Sequence, residues 1–200
     1  MTFIVFTQFL RTHFIFTVID FASRLKLFDN GHAGKNEMLR NRVYLKTPSI
    51  NELDYRIKLL ADAKTMQYNV GYGDDGSGCY YLTHERAQRW YIKWLEESQN
   101  YYAYIVKIDG EYPVGDVSLH YDEAQQLHLV GVTIEASQRR NGYAKEALRL
   151  LIDKAFNEMK LERIGDTLPK GRTDAEQLFK TMGFKRVNEN LLILTKVGIV

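Results

Sequence analysis

"RRNGYAKEAL", residues 139–148, sets two arginines and an asparagine ahead of a glycine and then runs into a good helix-forming stretch. The first turn of a helix leaves amide N–H groups unpaired and carries the positive end of the macrodipole, so basic side chains there are locally unfavourable. The pattern makes sense where something negative is expected to sit. Upstream lie an apolar run, "LHLVGVTI" (127–134), and a polar turn, "EASQRRN", so the order is strand, turn, glycine, long helix. A turn whose successive amides point inward at a helix N-terminus is an anion nest, and Gly142 removes the side chain that would keep a diphosphate at a distance. The alternative is a basic helix start that sits in water.

Working outward, Ala144, Ala147, Leu148, Leu151, Ile152, Ala155, Phe156 and Met159 recur at i, i+3, i+4 and i+7, which makes this helix the longest amphipathic segment of the chain. Before it, "YYAYIVKI" (101–108) and "VGDVSLHY" (114–121) flank "DGEYP", whose Asp109-Gly110 pair signals a hairpin. The strand 127–134 follows the turn at Asp122-Glu123, so three neighbouring antiparallel strands are expected. After the helix, "ERIGDTL" (162–168) reads as a strand. Thr173 with Glu176 caps a helix ending at Gly183, and "FKRV" with "LLILTKV" forms a closing hairpin. Nearer the start, "RVYLKT" alternates like a short strand, and Ser49 with Glu52 forms a capping box for a helix carrying Leu53, Ile57 and Leu60. From Thr83, the stripe Ala87, Trp90, Tyr91, Trp94 and Leu95 marks a helix whose aromatics suit core or pocket wall. The loop "GYGDDGSG" (71–78) holds Asp74 and Asp75, which repel phosphate, and lacks a Gly-Lys-Ser/Thr ending, so it reads as a solvated loop.

A chain of 200 residues with 45% hydrophobic and 26% charged content fits one globular domain with an extension. The net charge of +2 is too mild for a nucleic-acid partner. One cysteine, Cys79, excludes an intrachain disulfide and a cysteine-rich metal site, so a reducing, cytoplasmic setting and no metal are expected. The opening "MTFIVFTQFLRTHFIFTVIDF" is apolar but broken by Gln8, Arg11, His13 and Asp20. That is too interrupted for stable membrane insertion, and it lacks the layout of a signal peptide. Three readings stay open for residues 1–37: a packed extra helix, a weakly membrane-associating segment, or residues ahead of a functional start at Met38 after the linker-like "DNGHAGKN".

Arg139-Arg140-Asn141-Gly142-Tyr143-Ala144 resembles the (Arg/Gln)-x-x-Gly-x-(Gly/Ala) pyrophosphate motif of the GNAT superfamily of acyl-CoA-dependent N-acetyltransferases. The order of elements is also similar, and "LFKTMGF" (178–184) resembles the family's helix-ending segment; the likeness covers residues 40 to 197. It implies an α+β fold in residues 38–200: a mostly antiparallel sheet splayed at its centre, with helices on both faces. It further implies acetyl-CoA as co-substrate and direct acetyl transfer to a primary amine, small molecule or peptide, and leaves a homodimer open.

The same resemblance implies that pantetheine lies along the strand at Val132, Thr133 and Ile134, with Gly131 marking a bulge that opens the edge. The diphosphate would be held by the turn from Arg139 through Arg140, Asn141, Gly142, Tyr143 and Ala144 to Lys145. His128 stands where many members carry a glutamate base, and imidazole titrates near pH 6.5; its side chain should share a face with Val130 and Val132, and His120 on the neighbouring strand competes for the role. Phe179 replaces a tyrosine acid and has no proton to give, and Arg172 replaces a cofactor-contacting asparagine, with Asp166 and Thr167 nearby. Without that tyrosine, a non-catalytic acyl-CoA-binding or regulatory module is the alternative. For the amine, Tyr72, Asp74, Asp75, Tyr80 and Tyr81 offer an aromatic and acidic cradle.

Overall fold

The computed structural model describes residues 41–96, 99–168 and 171–196; what was read for residues 1–37 lies outside the described residues. Period-two alternation in the middle of the chain produces β2 (Tyr101–Lys107), β3 (Pro113–Asp122) and β4 (Leu127–Ile134). Gly110 and Glu111, with φ of 88° and 49°, close the first hairpin as the left-handed pair that a tight turn needs. With β1 (Val43–Lys46), β5 (Arg163–Thr167), β6 (Lys185–Arg186) and β7 (Leu191–Thr195), they form a seven-stranded sheet in the order β1-β2-β3-β4-β5-β7-β6. Every neighbouring pair is antiparallel except β4 with β5. The expected α+β, mostly antiparallel sheet is thus the observed one.

The parallel pair is short. His128 faces Ile164 and Leu129 faces Gly165, and the register goes no further. On its other side β4 stays paired with β3 to the end, Ile134 opposite Gly115. Residues 130–134 therefore keep one edge without a partner strand, and the sheet opens there. Gly131, expected at a bulge, instead sits in regular register opposite Ser118, and a register shift lies between Ile105 and Val106. The Ser118 hydroxyl is 2.5 Å from where a Cβ on Gly131 would be, so the glycine makes room across the sheet and does not bend the strand.

Helices cover both faces. They are α1 (Asp54–Ala61), α2 (Ala63–Met66) with the tight turn Gln67–Asn69, α3 (His84–Tyr91) running on through a widened turn at Ile92–Glu96, α4 (Tyr143–Asp153) with its widened extension Lys154–Glu158, and α5 (Thr173–Thr181). Helix α4 lays Ala147, Leu148 and Leu151 against Ile105, Val117, Leu119 and Val130, and Phe179 of α5 joins them with Ile164 and Leu192. On the opposite face Tyr102, Tyr104 and Val106 pack with Tyr55, Trp90 and Leu95. Each large side chain so buried contributes roughly 2 kcal/mol. No helix among the described residues is long and apolar enough to cross a membrane.

Two caps differ from the expected ones. The Glu52 carboxylate does accept the Ser49 N–H, at 2.9 Å, and the Ser49 carbonyl accepts the Glu52 N–H at 3.0 Å, but they close a turn of their own and α1 starts at Asp54. Glu52 is also drawn aside by Lys46 Nζ at 2.5 Å. Thr173 is the first helical residue, not a cap, because Arg172 before it takes φ −85° and ψ 69° and sends its side chain elsewhere. Thr83 caps α3, accepting the Arg86 N–H at 3.2 Å. Gly183, at φ 91°, ends α5, with the Phe184 N–H returning to the Phe179 carbonyl at 3.1 Å.

Asp166 is a partly buried carboxyl in β5. Burial pushes its carboxyl up to about 6, against the pull of Arg172 and Arg186. A folded-state pKa above the unfolded one means that the fold favours the protonated form, so stability is lost as pH rises from about 4 through about 6. Asp166→Asn should therefore stabilise the protein by on the order of 1–2 kcal/mol at about pH 7.5, with the gain vanishing below about pH 4, in urea melts across that range. A gain independent of pH would contradict the assignment. Gly115 offers a packing test, since a Cβ there would lie 2.1 Å from the Thr133 carbonyl oxygen. Gly115→Ala should cost about 2–3 kcal/mol. Gly76, which has φ 78° and open space around it, should cost only about 1 kcal/mol on the same change.

Candidate functional site: an open strand edge, an uncapped helix and an aromatic cavity

After β4 the chain makes a tight turn at Ala136–Gln138, extends at Arg139, and reverses the sign of φ at Arg140 (64°) and again at Gly142 (78°). Asn141 between them has no positive φ. Such alternation turns successive amides toward one side, forming an anion-binding nest. Gly142 is the N-cap of α4 and no side chain caps the helix. The N–H groups of Tyr143, Ala144 and Lys145 thus have no partner within the helix.

The polar side chains of this turn divide the work. Arg140 is exposed. Asn141 turns back, its amide donating to the carbonyls of Gln138 at 3.1 Å and Arg139 at 3.4 Å. Arg139 is a brace: its Nη2 donates to the Thr65 carbonyl at 2.6 Å and its Nε to the Ile134 carbonyl at 3.3 Å. Thr65 completes the tie by accepting the Ala136 N–H on its hydroxyl at 2.9 Å. Arg42 was not anticipated. Its Nη2 lies 2.9 Å from where a Cβ on Gly142 would be, and its guanidinium is 5.5 Å from the Tyr143 ring centre. Glu146 holds this corner, accepting the Val43 N–H at 3.1 Å and the Arg42 N–H, and as an acid in the first turn of α4 it offsets the basic residues around it. No local pattern links residues a hundred positions apart, so only the fold shows Arg42.

A cavity of about 370 Å³ opens on the sheet face opposite α4, next to the free edge of β4. Its floor includes Tyr102, Asp116, Ser118, His120, Gly131 and Thr133, alternate residues of three adjacent strands. Asp116 is 6% exposed and accepts the Tyr102 hydroxyl at 2.8 Å, while Arg56 Nη1 stands 3.5 Å away. Burial pushes the Asp116 carboxyl above its usual range, opposed by Arg56 and by hydrogen bonds from Tyr102 and Thr133. Burial also lowers the His120 pKa, so its imidazole is neutral at neutral pH. Tyr68 leans in, its hydroxyl 3.4 Å from Thr133 Oγ1, and Arg172 donates to the Tyr68 carbonyl with its guanidinium 5.3 Å from the Tyr68 ring centre.

His128 shares a face with Val130 and Val132, as read from the alternation, and that is the face covered by α4. Its Nε2 is 3.3 Å from the Gln99 carbonyl, its ring meets Tyr121 edge-on, and it does not line the cavity; His120 does. Among the five cradle residues only Tyr80 lines the cavity. Asp74 accepts the Tyr81 N–H at 2.8 Å and pairs with Arg86, Asp75 accepts the Ser77 N–H at 2.9 Å, and Tyr72 and Tyr81 are exposed. These carboxylates order their own loop, which local sequence does not distinguish from ligand binding. Thr133 faces the cavity, whereas Val132 and Ile134 pack on the α4 side. Phe179 is core, 5.0 Å from Phe184.

Known proteins share the fold. The profile of the acetyltransferase (GNAT) domain matches residues 42–185, more than half of the chain. A probable N-acetyltransferase, YjcK, of Bacillus subtilis is 24% identical over 156 residues, 74% of this chain and 84% of that protein. Among solved structures, the spermidine N-acetyltransferase of Vibrio cholerae in complex with CoA and spermine superposes with a TM-score of 0.64 at 13% identity, covering 78% of this chain and 96% of that one. An acetyltransferase of Bacillus anthracis does so with a TM-score of 0.60 at 18% identity, covering 77% and 95%. The free edge of β4 leading into a glycine-marked helix start therefore has a family to go with it: the chain belongs to the GNAT acetyltransferases and is an acyltransferase.

Proposed function

We propose that this protein is an N-acetyltransferase that carries the acetyl group of acetyl-CoA directly to a primary amine bound in the cavity. One observation supports the reading above all: β4 loses its partner strand after Leu129 and runs, edge open, into a turn and helix start whose amides lack partners. A thioester of coenzyme A, when bound, supplies the activated acetyl group.

The residues present fit such a ligand. Unpaired backbone groups must find hydrogen bonds; the groups of Val132 and the N–H of Ile134 turn to the free edge and suit the amides of a pantetheine chain, while the backbone of Thr133 pairs with β3 and its side chain faces the cavity. The N–H groups of Arg140 to Lys145 suit a diphosphate, with the Arg42 and Arg140 guanidiniums adding charge. A side chain on Gly142 would fill this cradle and meet Arg42. Arg139 positions the turn through Thr65 and does not itself reach for the anion. His120, neutral and on the cavity floor, takes the place considered for His128 as acceptor of the proton that an attacking ammonium must lose. Ser118 and Thr133 offer hydroxyls beside it.

Gly142→Glu puts bulk and negative charge into the nest and should weaken CoA binding at least about 100-fold, equal to ~2.7 kcal/mol, in calorimetry with the melting temperature as fold control. Undiminished binding would remove the diphosphate site. His120→Gln should lower turnover about 100-fold while CoA affinity stays constant, followed as thiol release from acetyl-CoA with a panel of primary amines. Unchanged turnover would take the proton-accepting role from His120.

A further inference from the structure

We infer that the cavity is built for an amine of single positive charge on an aromatic or compact apolar body, and that Arg56 is the residue that excludes polycations. This rests on the transferase reading only for the acetylation of the bound amine; the charge selectivity comes from the cavity itself.

A polyamine needs a receptor for each extra ammonium, and the strongest that proteins offer are a carboxylate and the face of an aromatic ring. This cavity contains both, and Arg56 already takes its one carboxylate and two of its aromatic faces. Its guanidinium lies 3.5 Å from the Asp116 carboxylate, 3.6 Å from the ring centre of Trp90 and 4.8 Å from that of Tyr102. Its side chain is only 15% exposed, so it belongs to the wall and is not a mobile surface group. Arg56 and Asp116 are the only Lys, Arg, Asp or Glu side chains among the described residues that line the cavity, and they balance each other. In the acidic loop, Asp74 is already engaged by Arg86 and the Tyr81 N–H and supplies no second carboxylate to the cavity. An extra ammonium would enter beside a resident cation with no unpaired anion to meet it, in a setting where water screens charge poorly.

What remains is uncharged: Asn69, Ser118, His120 and Thr133 are polar, and beside them lies an apolar stretch. Leu60, Met66, Tyr80 and Trp94 leave a wall for one ring or branched chain. Trp94 stands 5.5 Å from the His120 ring and 5.6 Å from Trp90, which brings that wall to the proton acceptor. A ligand whose amine reaches Ser118 and His120 while its body rests on the wall beside Trp94 would match the charge and shape of the site. A small arylalkylamine and a peptide whose first residue is aromatic both carry this chemistry.

Thiol release from acetyl-CoA should be compared for 2-phenylethylamine, a phenylalanine-first tripeptide amide and spermidine. We expect kcat/KM for at least one of the first two to exceed that for spermidine by about 100-fold, the better of the two identifying the source. Arg56→Met, which keeps the apolar stem and removes the charge, should narrow that ratio at least about 10-fold by raising the spermidine value. Should that variant not fold, quenching of tryptophan fluorescence in the CoA-bound wild-type protein decides, with saturation by 2-phenylethylamine or the peptide and none by spermidine expected. A wild-type preference for spermidine, or quenching by none of the three, overturns the inference. CoA affinity measured in parallel reports on the transferase reading alone.

Discussion

Backbone groups cannot be left without partners, and the structure turns on one place where the fold itself provides none. Up to Leu129, β4 is paired on both sides; past it, β3 continues and β5 diverges. A central strand with one bare edge is costly in isolation and is the counterpart of an exposed edge strand. Here it is the scaffold of a site. The divergence makes the groove, the end of the strand delivers the turn at Arg139 to Gly142, and the turn delivers the start of α4. Because α4 packs firmly on the other face through Ala147, Leu148 and Leu151, its N-terminus is fixed relative to that edge.

The cavity and the turn are joined mechanically as well as by proximity. Arg139 and Ala136 both bond to Thr65, and Met66, Tyr68 and Asn69 just beyond it form part of the cavity wall. Arg172 holds the same wall from the start of α5. The segment after α1 is thus hung from the nest on one side and from α5 on the other. Two basic residues that look like ligand-binding groups in the sequence, Arg139 and Arg172, serve to position a wall.

Strong periodicity made most of the fold legible. The three central strands and the long helix were apparent because β2, β3 and β4 alternate cleanly and α4 repeats its apolar positions over many turns. The nest was legible because Gly142 combines with a strand before it and a helix after it. Capping was not: Ser49 with Glu52 and Thr173 with Glu176 match the pattern, yet side-chain pulls from Lys46 and toward Tyr68 decide which turn each residue closes. The cavity floor had a readable sign in "GDVSLH", where Asp116, Ser118 and His120 alternate with buried Val117 and Leu119. Those three residues share the cavity face, whereas the parity of His128 places it on the covered side. Arg56 left no such sign, because its meaning comes from Trp90 and Asp116, far apart in the chain.

The shortness of the β4–β5 ladder has a consequence of another kind. Two residue pairs are all that knit the four-stranded half of the sheet to the three-stranded half formed by β5, β7 and β6. Between them the chain relies on packing of Ile164, Leu168, Phe179, Phe184 and Leu192, which resists separation but tolerates small rotations better than directional hydrogen bonds do. The sheet therefore carries a built-in seam. Its compliance is concentrated along the line where a long, thin molecule would have to slide in and later leave.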